Sequence, residues 1–315
     1  MKTAQYDIIG DIHGHADKLH ALLDKLDYKK TDGVFAHATR KVIFLGDFID
    51  RSPQQKQVLN TAMAMVNNHQ ALAVMGNHEY NALAYHTLDP STPANDPERH
   101  LRPHSIKNIT QHQAFIDAYG TDTQCPELSR VLEFFYSLPL WLELDGLRIV
   151  HACWHANSIK YLDSLLSENH TLSHDLLVAG SQAGSREYDA IEVLLKGPEA
   201  RIPDNGTFED SYGIQRNHVR LAWWKPPQTL WRDATQPPDA IIGPLADKVV
   251  PSELGLGYSL ESPPVLFGHY WFSGQPTPLA PNVACLDYSV AKGEKLCAYR
   301  WSGESVLSEK NFVYV

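Results

Sequence analysis

Short apolar runs recur along the chain, and each ends abruptly in glycine or a polar cluster: YDIIGD at 6–11, KVIFLGD at 41–47, ALAVMGN at 71–77, GLRIVHA at 146–152 and PPVLFGH at 263–269. Unbroken apolar runs of this length suit strands covered on both faces. Helical stripes separate the first three. In HADKLHALLDKLDY, Leu19, Leu22, Leu23 and Leu26 recur at the i, i+3, i+4, i+7 spacing of an amphipathic helix. Ser52 and Pro53 are the expected N-cap and first residue of a second helix, with Val58, Leu59, Ala62, Met63 and Val66 on its buried face. Strand, helix, strand, helix, strand calls for parallel strands joined by helical crossovers.

Residues 89–104, DPSTPANDPERHLRPH, are proline-rich and polar, and mark a loop or lid within an expected insertion over 85–130. Helices are expected over 105–119 and 127–137, and WLELDGLRIVHA reads as a hairpin turning at Asp145-Gly146. The stretch from 156 to 262 mixes helical patterns with RLAWWKPPQTLWRD and reads as an elaboration of one domain spanning 1–315. From 282 onward, NVACLDYSV, KLCAYRW and NFVYV read as closing antiparallel strands.

Composition changes this picture little. With 43% hydrophobic and 20% charged residues among 315, the chain has an ordinary globular balance and should bury a sizeable core. Its N-terminal segment passes straight into a strand pattern without the apolar core of a secretory signal, and no run approaches the roughly 18 apolar residues that span a bilayer. Cys125, Cys153, Cys285 and Cys297 form no CxxC pair and suit buried thiols in a reducing cytoplasm. Charge matters more. A net charge of -10 disfavours nucleic acid and anionic membranes as partners, so an anionic substrate needs positive charge supplied locally. Bound metal ions would supply it.

The ends of the apolar runs carry the candidate chemistry. Asp11 and His13 lie two apart, a spacing that in extended chain points both side chains to one face. Asp47, Asp50 and Arg51 follow the second run, Asn77 and His78 the third, and His151 and His269 two more. Side chains at the carboxyl ends of strands in an open α/β sheet converge on one crevice, so these stretches are expected to meet. Carboxylates and imidazoles suit manganese first, with iron or zinc as alternatives, and a pair of such ions needs a bridging anion. Asp47, central in the set, is the expected protein bridge.

In that order GDIHG, GDFIDR, GNHE, VHA and FGH resemble the calcineurin-like metallophosphoesterases, in the branch that holds Ser/Thr protein phosphatases and bacterial symmetrical diadenosine tetraphosphatases. The resemblance implies a four-layer α/β/β/α sandwich with two divalent metals at strand ends. It implies Asp11, His13 and Asp47 on the first metal, and Asp47, Asn77, His151 and His269 on the second. By the same resemblance, a metal-bridged hydroxide attacks phosphorus, His78 is the general acid oriented by Asp50, and Arg51 binds a phosphoryl oxygen. Two departures stand out. Ser52 replaces the family's usual glycine before Pro53, and the HACW sequence brings the bulk of Trp154 towards the site.

Other residues carry competing readings. His15 and His155 are read as bystanders rather than ligands, and Glu79 as a helix-start residue that complements the helix dipole. Arg220, and with it Arg232, is a candidate second phosphate clamp against surface ion pairing. Trp223, Trp224, Trp231 and Trp271 either stack a base or fill a core, with the core preferred. The expected substrate is a phosphomonoester of the protein Ser/Thr phosphatase kind, with a symmetrical dinucleoside tetraphosphate as the alternative. A catalytically silent binding module on the same fold is the reading of another class; the complete set of motif residues argues against it.

Overall fold

Alternation along the strands sorts side chains into two different cores. A computed structural model describes residues 5–93, 95–96, 99–203, 206–209, 215–238 and 240–315. In chain order it shows β1 (Tyr6–Ile9), α1 (Ala16–Lys25), β2 (Lys29–Thr31), β3 (Val34–Ala36), β4 (Lys41–Phe44), α2 (Gln55–Asn67), β5 (Ala71–Ala73) and α3 (Asn77–His86). Next come α4 (Ile106–Tyr119), α5 (Pro126–Tyr136), β6 (Trp141–Leu144), β7 (Leu147–Val150), α6 (Ala156–Asp163), α7 (His174–Gly180) and α8 (Arg186–Lys196). The remainder holds β8 (Glu199–Arg201), β9 (Phe208–Glu209), β10 (Gln215–Arg216), β11 (His218–Leu221), α9 (Trp231–Ala234) and β12 (Thr235–Gln236). It closes with β13 (Val265–Phe267), β14 (Val283–Cys285), β15 (Asp287–Tyr288), β16 (Lys295–Trp301) and β17 (Phe312–Tyr314).

Two mixed sheets form the centre. One runs β15-β16-β1-β4-β5, with β17 on β16; the other runs β14-β13-β7-β6. Ile8, Ile43, Ile149, Leu266 and Ala284 point into the space between the sheets, where they share one apolar cluster. Their chain neighbours Ile9, Val42, Phe44, Val150, Val265, Phe267 and Val283 point the other way, into the cluster shared with helices. A period of two on each strand thus requires four layers, α/β/β/α. In α1, Leu19, Leu22 and Leu23 are fully buried, as their spacing predicts.

β1, β4 and β5 run parallel, with Ile9 opposite Phe44 and Phe44 opposite Ala73, so their carboxyl ends lie side by side. β7 and β13 are parallel too, which brings the chain after each to the same edge of the second sheet. The hairpin at Asp145-Gly146 forms as expected, with Gly146 at φ 76. β8, β11 and β12 build a small three-stranded sheet, in the order β12-β11-β8, over its own apolar cluster around Val219, Leu221 and Trp231.

Three expectations are corrected. The second helix begins at Gln55 with Gln54 as its N-cap, and the Gln54 side chain makes no cap hydrogen bond. Asp50 and Arg51 take left-handed backbone conformations, and the Ser52 carbonyl accepts from the Gln55 side chain, so 51–53 form a turn rather than a helix start. β14 runs parallel to β13 instead of closing the sheet antiparallel. β1 ends at Ile9, and His13 has φ 47, so Asp11 and His13 are aligned by a loop and not by extended chain.

Candidate metal centre and active site

The loops after β1, β4, β5, β7 and β13 meet around one buried carboxylate. The main-chain amides of Ile12 and His13 both donate to the Asp47 carbonyl, at 3.0 and 2.9 Å, which ties the first loop to the second. The Gly268 amide donates to the His151 carbonyl at 2.7 Å and ties the last two together. His13, Asp47, Asp50, Arg51 and His269 all have positive φ, a conformation side chains rarely adopt without support from their surroundings. Glu79 supplies part of that support. Its carboxylate accepts from the amides of Asp47, Phe48 and Gly76 at 2.8, 2.9 and 3.0 Å, which both caps α3 and fixes the loop carrying Asp47. Burial, then the charge of Asp47, push the Glu79 carboxyl up to about 7.

Three imidazoles face the Asp47 carboxylate. His13 Nε2 lies 3.6 Å and His78 Nε2 3.9 Å from Oδ2, while His151 Nε2 lies 3.5 Å from Oδ1. His13 and His151 each use Nδ1 to donate to a main-chain carbonyl, of Ile49 at 3.0 Å and Leu45 at 2.7 Å. This leaves Nε2 of each ring facing inward, the arrangement metal-binding histidines use once that nitrogen has lost its proton. Asn77 Oδ1 lies 3.1 Å from His151 Nε2. His269 Nε2 and Asp11 Oδ1 are buried without a hydrogen-bond partner among the described residues, while the other Asp11 oxygen accepts from the His269 amide at 3.0 Å.

Orphaned donors and acceptors of this kind are what a cation site leaves when only protein is counted. His13, Asp47 and His78 form one group that could hold an ion; Asp47, His151 and His269 form another, so Asp47 belongs to both. The donor set therefore fits a pair of divalent cations. His78 stands in the first group where Asp11 was expected, with Asp11 alongside. Two glycines are required by this closeness: a Cβ at Gly76 would meet Asp47 Oδ1 at 2.2 Å, and one at Gly268 would meet Asp11 Oδ1 at 2.0 Å.

Charge balance follows from burial and neighbours. For His151, burial pulls the pKa down, but Asp47 outweighs it and raises it to about 10. Burial, aided by the charge of His78, lowers His13 to about 4. For His78, burial opposes the charged form, yet Asp47 and Asp50 together raise its pKa. Asp50 is held well below the usual carboxylate range: burial works against it, but His78 and His112 stabilise its ionised form. Asp50 Oδ2 bonds His78 Nδ1, and Oδ1 bonds His112 Nδ1 at 2.8 Å.

A cavity of about 780 Å³ opens over this centre. Asp47, Asn77, His78 and His269 line its floor, and Arg51, Arg102, Lys107, Lys196, Arg220 and Lys292 line its walls. Arg102 is gripped by neutral acceptors, Asn81 Oδ1 at 2.6 Å and Gln111 Oε1 at 2.9 Å, and among the described residues no carboxylate bonds it. Arg220 lies 3.8 Å from Glu199 and 5.4 Å from the Tyr270 ring. The sequence carries no signal for either Arg102 or His112: Arg102 lies in the proline-rich stretch 89–104 and His112 within α4, with no motif around them.

The remaining candidates separate cleanly. Arg232 pairs with Asp247 outside the cavity lining. His15 precedes α1, and His155 bonds Ser158 Oγ at 2.8 Å. Trp223, Trp224 and Trp231 are core residues, whereas Trp271 lines the cavity with the Arg51 guanidinium 5.5 Å and the Lys292 ammonium 4.8 Å from its ring. Trp154 is a correction: it is buried under Arg148, 4.8 Å from the guanidinium, and does not line the cavity.

Residues 5–196 match the family model described as calcineurin-like phosphoesterase, and the chain belongs to that family. Among curated relatives, a bis(5'-nucleosyl)-tetraphosphatase [asymmetrical] of Oceanobacillus iheyensis is 38% identical over 157 residues, covering 50% of this chain and 57% of the relative. Its Bacillus subtilis namesake is 39% identical over 160 residues, covering 49% and 59%. The chain thus spans less than two thirds of either relative's length. A solved protein serine/threonine phosphatase from Saccharomyces cerevisiae superposes with a TM-score of 0.50 at 12% identity, covering 100% of this chain and 80% of that one, a likeness of fold.

Proposed function

We propose that the chain is a metal-dependent phosphohydrolase whose substrate carries consecutive phosphates, a dinucleoside polyphosphate cleaved asymmetrically. The observation that carries this reading is the cavity wall. A single phosphoryl group on the metal centre needs Arg51 and little more, yet Arg102, Lys107, Lys196, Arg220 and Lys292 surround the same space. Guanidinium forks suit the oxygens of a phosphate chain, and the curated relatives bear names that fit such a substrate. This departs from the order drawn from sequence, where a phosphomonoester came first and a symmetrically cleaved dinucleoside tetraphosphate second.

Two divalent cations held by Asp11, His13, Asp47, Asn77, His151 and His269 would neutralise phosphoryl charge and lower the pKa of water towards neutrality. The protein's own groups do the rest. Arg51 and Arg102 draw the phosphate chain over the floor and fix which phosphorus faces it. His78, whose pKa Asp47 and Asp50 raise against the opposing effect of burial, gives a proton to the oxygen that departs as the P–O bond breaks. Asp50 keeps the ring aimed.

A panel of diadenosine tetraphosphate, p-nitrophenyl phosphate and a phosphoserine peptide, with manganese-reconstituted protein, tests the reading. The tetraphosphate should be preferred in kcat/KM, giving a triphosphate and a monophosphate as products. Arg102→Ala should lower that preference about ten-fold, the worth of one lost charge-assisted contact. Preference for the phosphopeptide, or two diphosphates as products, would overturn it.

A further inference from the structure

The Asp50–His78 pair has a third member, contributed by the inserted helix α4. We propose that His112 is a positioning residue: its Nδ1–H holds the second oxygen of Asp50, fixes the carboxylate plane, and through it aims His78 at the departing oxygen. The inference rests on the reading of His78 as proton donor.

Asp50 is buried in a loop of left-handed backbone, and its amide is already taken by Gln55 Oε1 at 2.9 Å. Its two carboxylate oxygens are divided between two rings, Oδ2 to His78 and Oδ1 to His112 at 2.8 Å. An aspartate carboxylate rotates over a broad, soft torsion, so a single partner would leave its plane undetermined. A second donor on the opposite oxygen removes that freedom. Because the acceptor is an ionised carboxylate, His112 must carry a proton on Nδ1.

The His112 ring is itself held. It is buried, stacks on Phe115 at 4.7 Å with an interplanar angle of 20°, and packs against Tyr85 at 5.1 Å and His86 at 5.7 Å. Among the described residues its Nε2 has no hydrogen-bond partner, so the contact with Asp50 is the polar bond that defines its orientation. Lys107, Asn108, Gln111 and His112 lie at helical spacing along α4 and line the cavity. The insertion therefore completes the proton-donating machinery from a helix that none of the five strand-end motifs contains. A histidine retained only to satisfy a buried carboxylate would affect stability alike for every substrate. A positioning histidine affects the step in which His78 gives its proton.

The test compares His112→Phe, His112→Asn and His78→Asn in the metal-loaded full chain, with p-nitrophenyl phosphate, phenyl phosphate and diadenosine tetraphosphate. The phenylalanine keeps the stacking and removes the donor; the asparagine restores an N–H near the position of Nδ1. His112→Phe should lower kcat on phenyl phosphate by about ten-fold more than on p-nitrophenyl phosphate, whose leaving group needs less protonation, with KM and metal content little changed. His112→Asn should recover most of the loss. On diadenosine tetraphosphate, His112→Phe should cost little further kcat once His78→Asn is present, because the two act through one group. Equal losses on both aryl phosphates, additive losses in the double variant, or no rescue by asparagine would overturn the role. If His78→Asn itself shows no dependence on leaving group, the reading of His78 fails instead, and the two failures are told apart.

Discussion

Asp47 is a buried carboxylate faced by three imidazoles, and that imbalance sets how the centre takes up metal. Without a cation the site stabilises positive charge by protonating His151, whose pKa rises to about 10 as Asp47 outweighs the penalty of burial. A metal ligand must be the neutral ring, so binding has to expel that proton. The sign follows: at neutral pH metal competes with a proton, and the competition fades as pH rises towards the His151 pKa. Apparent metal affinity should therefore increase with pH, by up to about ten-fold per unit for one proton released. Calorimetric titration in buffers of different ionisation enthalpy reads the proton directly; a pH-independent affinity with no proton release would contradict this account of His151. Glu79 belongs at the same scale. Its helix-start role is real, yet the same carboxylate also holds the Asp47 and Phe48 amides, a task invisible in the tetrapeptide GNHE.

At the scale of elements, loops rather than helix caps hold the site in shape. Ser52 looks like an N-cap in sequence but the helix starts at Gln55, so Ser52→Ala should change stability by less than about 0.5 kcal/mol, where loss of a working cap costs about 1 kcal/mol. Chemical denaturation decides between the two values. The error has a physical source: GDFIDR must turn Asp50 and Arg51 through left-handed backbone to face the site, and tertiary contacts impose that conformation against local preference. The strands were legible because strands buried on both faces leave unbroken apolar runs, and their polar ends were legible because Asp, Asn and His interrupt those runs so sharply. The direction of β14 was not, since its partner β13 lies outside its own segment and the same alternation serves either direction. Arg102 and His112 were hidden for a related reason. The place of His112 comes from where α4 docks, and that of Arg102 from its contacts with Asn81 of α3 and Gln111 of α4, neither of which local sequence shows.

For the whole molecule, the two sheets share the inter-sheet core and so bring five strand ends to one edge, where the loops interlock through Asp47 and His151. The four-layer arrangement follows from alternation, and the family from the motifs that punctuate it. Among the described residues no helix is long and apolar enough to cross a membrane. With a net charge of -10, the chain repels polyanions at a distance, so the cations around the cavity must act at short range on what reaches the floor. All of this depends on one shared carboxylate, common to both groups of candidate ligands. The direct measurement is elemental analysis of metal per chain for the wild type and Asp47→Asn after equal exposure to manganese. The account predicts about two ions in the wild type and loss of both in the variant, and a variant that keeps its full complement would contradict it.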